Sequence, residues 1–183
     1  MRKVFSITAA LLLLSAVFGC TTIYKAAVDE RDVKTIASDK KIETTIIKRL
    51  FEDDSVKVLD ISTYCYDGKV YIVGEYETGT QKSLVTQIAK NVEGVKSVST
   101  YLLPKKIDHP CGTKENLEIT AKVKTALIKD KEIWSTNVEV KTIQCAVVLL
   151  GIVGSEQEIR KAIAHAKSVE RVRSVKSYLK SAK

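Results

Sequence analysis

The sequence predicts an α+β fold built twice: two tandem modules, each running helix, strand, strand, helix, strand, with a small three-stranded sheet packed against two helices. Three observations predict it. Gly151 follows Gly74 by 77 positions, and at that displacement residues 39–102 lie over 116–179 without a gap, so that Ile42, Leu50, Asp53, Val70, Gly74, Ala89, Val92, Val98, Tyr101 and Leu102 meet identical residues. A gapless echo of this length marks a duplicated module. Within each copy, two segments carry apolar residues at helical spacing, and between them an apolar alternation turns back on itself.

The elements follow in order. Ile42, Ile46 and Leu50 recur every four residues, as do Ile119, Val123 and Leu127, so each copy opens with a helix that buries one face. In "LDISTYCYDGKVYIVGEY" the residues alternate on both sides of Asp67-Gly68, a strong hairpin signal, which predicts two antiparallel strands. The second copy has Gln144-Cys145 at that place and must turn by other chemistry. Leu84, Val85, Ile88, Ala89 and Val92, matched by Ile159, Ala162, Ile163, Ala166 and Val169, make the second helix, and "GVKSVSTYLL" and "RVRSVKSYLK" the third strand. The run "AVVLLG" from Ala146 does not alternate, as expected of a strand covered on both faces, by helices on one and by the twin module on the other. Gly74 and Gly151 are expected to end or bend their strands where a side chain would obstruct a close neighbour. A module of about 70 residues is marginal alone, which also favours packing of the copies on each other.

At the N-terminus, Arg2 and Lys3 precede "VFSITAALLLLSAVF", too short a stretch for a standard membrane span and suited to an export signal. The following "VFGC" resembles the lipobox of bacterial lipoproteins, with Phe18 bulkier than the usual occupant. That resemblance implies a signal peptide over 1–19 and a mature chain whose first residue, Cys20, carries diacylglycerol and an amide-linked acyl chain such as palmitate. Thr21, where an Asp would retain an enterobacterial lipoprotein in the inner membrane, implies the outer membrane, facing the periplasm. The expected divisions are a tether over 20–37, a first module over 38–104, a linker over 105–112 and a second module over 113–183.

The ordered set Ile119-x3-Val123-x3-Leu127-x2-Asp130, "VVLLGIV" and "AKSVERVRSVKSYL", present twice, resembles the BON domain, and two such domains behind a lipobox resemble the dual-BON lipoproteins. The sequence after Gly74, "EYETGTQ", and Arg171 in place of Gly94 depart from the family pattern. The resemblance implies envelope maintenance by binding, with phospholipid as ligand and neither catalysis nor cofactor. Its alternative is a protein-binding adaptor for an outer-membrane assembly or secretion complex, with an envelope protein as partner. The residues agree on catalysis. The two histidines, His109 in the linker and His165 on a helix, have no catalytic signature around them, and no CxxC or His-Cys cluster suggests a metal.

Charge separates the copies: residues 38–103 hold nine Lys and Arg against ten Asp and Glu, and residues 113–183 fourteen against eight. A basic module on a lipid-anchored protein suits anionic headgroups, whereas export argues against nucleic acid as the partner of that charge. At about 100° per residue, Leu117, Ala121 and Ile128 form a second apolar stripe away from the core face, with Lys124 and Lys131 beside it. Ile47 and Phe51 repeat it in the first copy. Such a stripe covers the other module, a protein partner or a membrane interface. The candidate lipid-binding residues are Leu117, Lys122, Lys124, Ile128, Lys129, Lys131 and Trp134, the last suited equally to an interface or to the core.

Three cysteines follow Cys20, so one bridge at most forms within the mature chain. A helix from Asn116 to Asp130 rises about 22 Å, and a strand from Asn137 to Gln144 returns about 26 Å. The hairpin tip with Cys145 thus comes back to the helix start near Cys111. The expected bridge is Cys111 to Cys145 with Cys65 free; Cys65 to Cys111 is the alternative.

Overall fold

The computed structural model describes residues 29–182, apart from 57–60 and 108. The signal segment, Cys20 and most of the tether lie outside the described residues. Each module has the expected order: α1 (Val33–Phe51), β1 (Ile61–Tyr66), β2 (Lys69–Tyr76), α2 (Gly79–Lys90) and β3 (Ser97–Pro104), then α3 (Thr113–Lys129), β4 (Glu139–Ile143), β5 (Ala146–Val153), α4 (Glu156–Ser168) and β6 (Ser174–Ser181). A short 3-10 turn, Ser135–Asn137, leads into β4.

Each sheet has three strands with the second at its centre, in the orders β1-β2-β3 and β4-β5-β6. The hairpin partners are antiparallel, from Tyr66↔Lys69 to Ile61↔Gly74 in the first copy. The third strand runs parallel to the central one, Val70 beside Val98 and Val147 beside Val175. The connecting helix α2 or α4 makes that parallel crossover possible.

Two faces of each sheet are buried, by different partners. Val70 and Ile72 of β2 pack with Ile42, Ile46, Leu50, Val85 and Ala89 beneath α1 and α2, and Val147 and Leu149 of β5 pack likewise with Val123, Leu127 and Ala162. The alternate residues, Tyr71 and Val73 on one side and Ile143, Val148 and Leu150 on the other, form a third core between the modules, lined by Tyr64, Tyr66, Tyr101 and Tyr178. The Tyr71 and Tyr178 rings meet at 5.1 Å, the spacing of an attractive tilted pair. Val148 and Leu150 are fully buried there, each contributing about 1.5–3 kcal/mol. The sheets therefore face one another and the helices form the outer layers. The second apolar stripes do not cover the twin: Ile47, Phe51, Leu117 and Ile128 are all exposed.

The element bounds add two details. α1 reaches back to Val33, so the helix includes the last five residues of the expected tether. β2 and β5 also continue two residues past Gly74 and Gly151, so neither strand ends there. Gly151 adopts φ +140°, and a Cβ on it would strike the Asn137 carbonyl oxygen. The glycine lets the 3-10 turn cross over β5 at backbone contact.

The hairpin turns share one conformation and differ in what holds it. Asp67 and Gly68 have φ 56° and 73°, and Gln144 and Cys145 have φ 49° and 60°. This is the twin left-handed pattern of a two-residue hairpin loop, costly for residues other than Gly, Asn and Asp. In the first copy Asp39 of α1 accepts the Asp67 and Gly68 N–H groups at 2.7 and 2.8 Å. Its counterpart Asn116 accepts the Cys145 N–H at 3.0 Å. Cys145 is bonded to Cys111, with Cα atoms 5.6 Å apart, within the range an unforced bridge spans. The Gln144 side chain donates across the module boundary to Glu75 at 2.6 Å and to the Pro104 carbonyl at 2.8 Å. The linker is held as well: Lys105 N–H donates to the Tyr76 carbonyl and Arg171 to the Pro110 carbonyl.

Asp39 is buried and also receives Arg31 at 2.6 Å and the Cys65 thiol at 3.2 Å. Burial alone would raise the Asp39 pKa, but the Gly68 and Asp67 N–H groups, with Cys65 and Arg31, outweigh it and hold the carboxylate below its usual value. Replacing Asp39 by Ala strips these donors of their acceptor and is expected to cost about 3–5 kcal/mol in urea unfolding. Since the folded pKa is the lower one, the carboxylate stabilises fully above its ordinary pKa of 3.8. The deficit of the variant therefore narrows as pH falls below that value.

Burial, and then the Asp39 carboxylate, push the Cys65 thiol well above its usual pKa. The chain from Thr21 onward should resist iodoacetamide when folded, take up one equivalent when unfolded without reductant, and three after reduction. Intact mass reads all three states.

Candidate functional site

The exposed face of α3 carries the sequence-predicted residues, and local chemistry sets its two ends. At the start, Glu115 accepts the Gly112 N–H at 3.0 Å, satisfying one of the donors a helix N-terminus leaves open. Ile119, Val123 and Leu127 are buried, which turns Leu117 and Ile128 outward at 65% and 69% exposure. At the far end Asp130 anchors the helix to α4: its Oδ2 meets His165 Nε2 at 2.9 Å and lies 3.5 Å from Lys161 Nζ. The hydrogen bond to His165, followed by the Glu132 N–H and the Lys161 charge, holds the Asp130 pKa down to about 2. His165 thus positions α3 against α4.

Trp134 follows directly and is about half exposed, which separates it from the core reading. Its N–H donates to Glu158 Oε2 at 3.2 Å, so the backbone is tied to α4 while the indole faces outward. The lysines divide. Lys122 pairs with Glu118 at 2.6 Å and Lys124 with Glu139 at 3.1 Å. Lys129 and Lys131 are exposed and have no ion-pair partner among the described residues. Of the four predicted lysines, the two left unpaired among the described residues therefore lie at the C-terminal end of α3, beside Ile128 and Trp134. No described helix is long and apolar enough to cross a membrane.

A feature that sequence reasoning did not find is the clamp on the incoming chain. Arg31 donates to Asp29, to Asp39 and to the Cys65 carbonyl, and its guanidinium lies 4.9 Å from the centre of the Tyr66 ring. Burial works against this charge, yet Asp29 and Asp39 outweigh it and keep Arg31 more firmly protonated than usual. The clamp lines a cleft of about 550 Å³ between the modules, whose walls include Lys40 and Glu43 of α1, Tyr64 of β1 and Glu139 at the start of β4. Asp32 caps α1 immediately afterwards, accepting the Thr35 N–H at 3.0 Å. The only trace in the sequence was the polar pair Asp39 and Asn116 at matching places on two core-facing helix stripes.

The described end of the tether also approaches the second module. A Cβ on Gly154 would come within 3.2 Å of a Glu30 carboxylate oxygen and 2.9 Å of Glu158, the residue that holds Trp134. The chain thus enters close to the C-terminal end of α3. Cys111 and Cys145 lie at the opposite end of that helix, away from the candidate surface.

Comparison with known proteins accords with this architecture. The family model described as BON domain matches residues 38–103 and again 116–183. The chain is 32% identical over 151 residues to Osmotically-inducible protein Y of Escherichia coli, covering 81% of this chain and 75% of that protein. It is 28% identical over 164 residues to Outer membrane lipoprotein DolP of Haemophilus influenzae, covering 88% and 82%. Among solved structures, CdsD, a structural protein of the Type III secretion system of Chlamydia trachomatis, aligns at 14% identity and a TM-score of 0.31 over 76% of this chain and 61% of that one, too slight a likeness to support an argument. The double match, each half falling on one helix-strand-strand-helix-strand unit, makes this chain a member of the BON-domain family with two copies of the domain.

Proposed function

We propose that this protein is a non-catalytic, lipid-anchored component of the bacterial envelope that binds anionic phospholipid through the exposed face of α3. Acylation at Cys20 holds it to the outer membrane on the periplasmic side, in keeping with the name of its Haemophilus relative and with the lipobox. No cofactor takes part. The observation that carries the reading is the outward display of Leu117, Ile128 and Trp134 with Lys129 and Lys131 left without acidic partners, although the twin module was available to cover them. A few apolar side chains that enter the headgroup region and lysines near an anionic surface, at about 1 kcal/mol each, combine into reversible adsorption. Lys122 and Lys124, already paired, contribute less to it.

The place where the chain enters supports the same orientation. From Cys20 to Asp29 an extended chain spans about 30 Å at most, and the described end of the tether lies near Glu158 and Trp134. Acyl chains in the bilayer would therefore keep this end of α3 close to the lipid surface.

Flotation of the soluble chain from Thr21 onward tests the reading. It should rise with phosphatidylglycerol or cardiolipin vesicles, stay down with phosphatidylcholine, and lose about tenfold in affinity on Lys129→Glu with Lys131→Glu. Equal binding to neutral and anionic vesicles overturns it. Crosslinking to one dominant envelope protein regardless of lipid composition would favour an adaptor instead.

A further inference from the structure

We propose that α1 of the first module is a second membrane-contacting surface, so that the protein meets one bilayer with a helix from each module. The inference rests on the lipid reading of α3 and extends it to a module whose overall charge argues against it. Residues 38–103 are slightly acidic in total, but within α1 itself the two acidic side chains are turned away from the outer stripe, and the exposed Glu52 that caps the helix pairs with Lys48. That helix carries Lys34, Lys40, Lys41, Lys48 and Arg49 against Asp39 and Glu43. Asp39 is buried under the hairpin, and Glu43 is turned into the cleft, where it accepts the Cys65 N–H at 2.8 Å and pairs with Lys40 at 2.9 Å.

At about 100° per residue, Val33, Thr44, Ile47 and Phe51 fall on one stripe opposite the buried Ile42, Ile46 and Leu50, bordered by Lys41, which has no ion-pair partner among the described residues, and by Lys48, which lies 3.8 Å from Glu52. Val33 is 72% and Phe51 79% exposed, unusual for a phenylalanine with a core at hand. Three observations assign a lipid surface as the occupant. Lys34 and Lys41, exposed and without ion-pair partners among the described residues, flank the stripe and complement anionic headgroups. The incoming chain is clamped one residue before the Asp32 cap of this helix, so the start of α1 lies at most about 45 Å of extended chain from an acylated Cys20. Finally, α1 lines the inter-module cleft through Lys40 and Glu43, and α3 reaches its other wall through Lys124, which holds Glu139, with Asp29 and Arg31 of the entering chain in the same cleft. The described end of the entering chain thus lies in a cleft that α1 lines and α3 reaches by one ion pair.

An environment-sensitive fluorophore on the soluble chain separates the two helices. Thr44→Cys on α1 and Ala121→Cys on α3 are labelled in the folded protein, where Cys65 is buried and the other two cysteines are bonded. With phosphatidylglycerol vesicles, blue-shifted emission is expected at both sites, and Ile47→Ser with Phe51→Ser should weaken vesicle binding about tenfold while circular dichroism is unchanged. A shift at residue 121 with none at 44 overturns the α1 proposal and leaves the α3 reading intact. A shift at 44 alone would leave α1 as the contact and overturn the α3 reading. Silence at both sites, with no flotation, overturns both.

Discussion

The two-sided burial of the central strands is the constraint on which the rest of the structure depends. A three-stranded sheet has two faces, and two helices cover one. The other face of each module, with Tyr71 and Val73 or Val148 and Leu150, is apolar and would be exposed without a twin. Because each sheet is the other's cover, duplication supplies what a module of this size lacks. It also decides what stays outside: with sheets inside, the outer sides of all four helices face away from the other module's sheet. An apolar stripe on such a helix is then available for a partner.

The duplication has been elaborated differently in its two halves, most visibly at the hairpin tips. A residue on the first helix of each module reaches across to hold a left-handed turn, Asp39 in one and Asn116 in the other. In the first copy the holder is charged, and the charge is used again to bind Arg31 and so to fix where the chain enters. In the second the holder is neutral, and the covalent bond from Cys111 to Cys145 keeps the turn in place with residues that disfavour it. One device ties the module to the segment before it, and the other ties it to the linker.

This arrangement changes how charge should be read. Module totals suggest a neutral first copy and a basic second copy, but side chains act locally. Asp39 is consumed by the turn and the clamp, Glu139 by Lys124, and Glu118 by Lys122. What remains exposed on both opening helices is apolar side chains bordered by lysines. A sum over sequence weights a buried, paired carboxylate like a free one, although only the free one reaches a ligand at the surface.

Much of the fold was legible in sequence because it repeats. Helical spacing placed the core faces of α1 and α3, Asp67-Gly68 placed a hairpin, and the unbroken apolar run of β5 implied cover on both faces. The family followed from the same ordered residues. Less legible were features that join residues far apart. The apolar pattern identifies that Ile47, Phe51, Leu117 and Ile128 form second stripes, but periodicity cannot say whether the twin covers them; the sheet-to-sheet packing decided that it does not. Nor could it show that Arg31 stacks on Tyr66, that the close neighbour of Gly151 is the Asn137 carbonyl, or that the entering chain lines the same cleft as α1. The sequence by itself determined the elements, their order and their duplication, since these depend on local spacing and propensity. The tertiary structure alone decided which apolar faces and which charges remain unpaired, because that depends on what each face meets across the molecule.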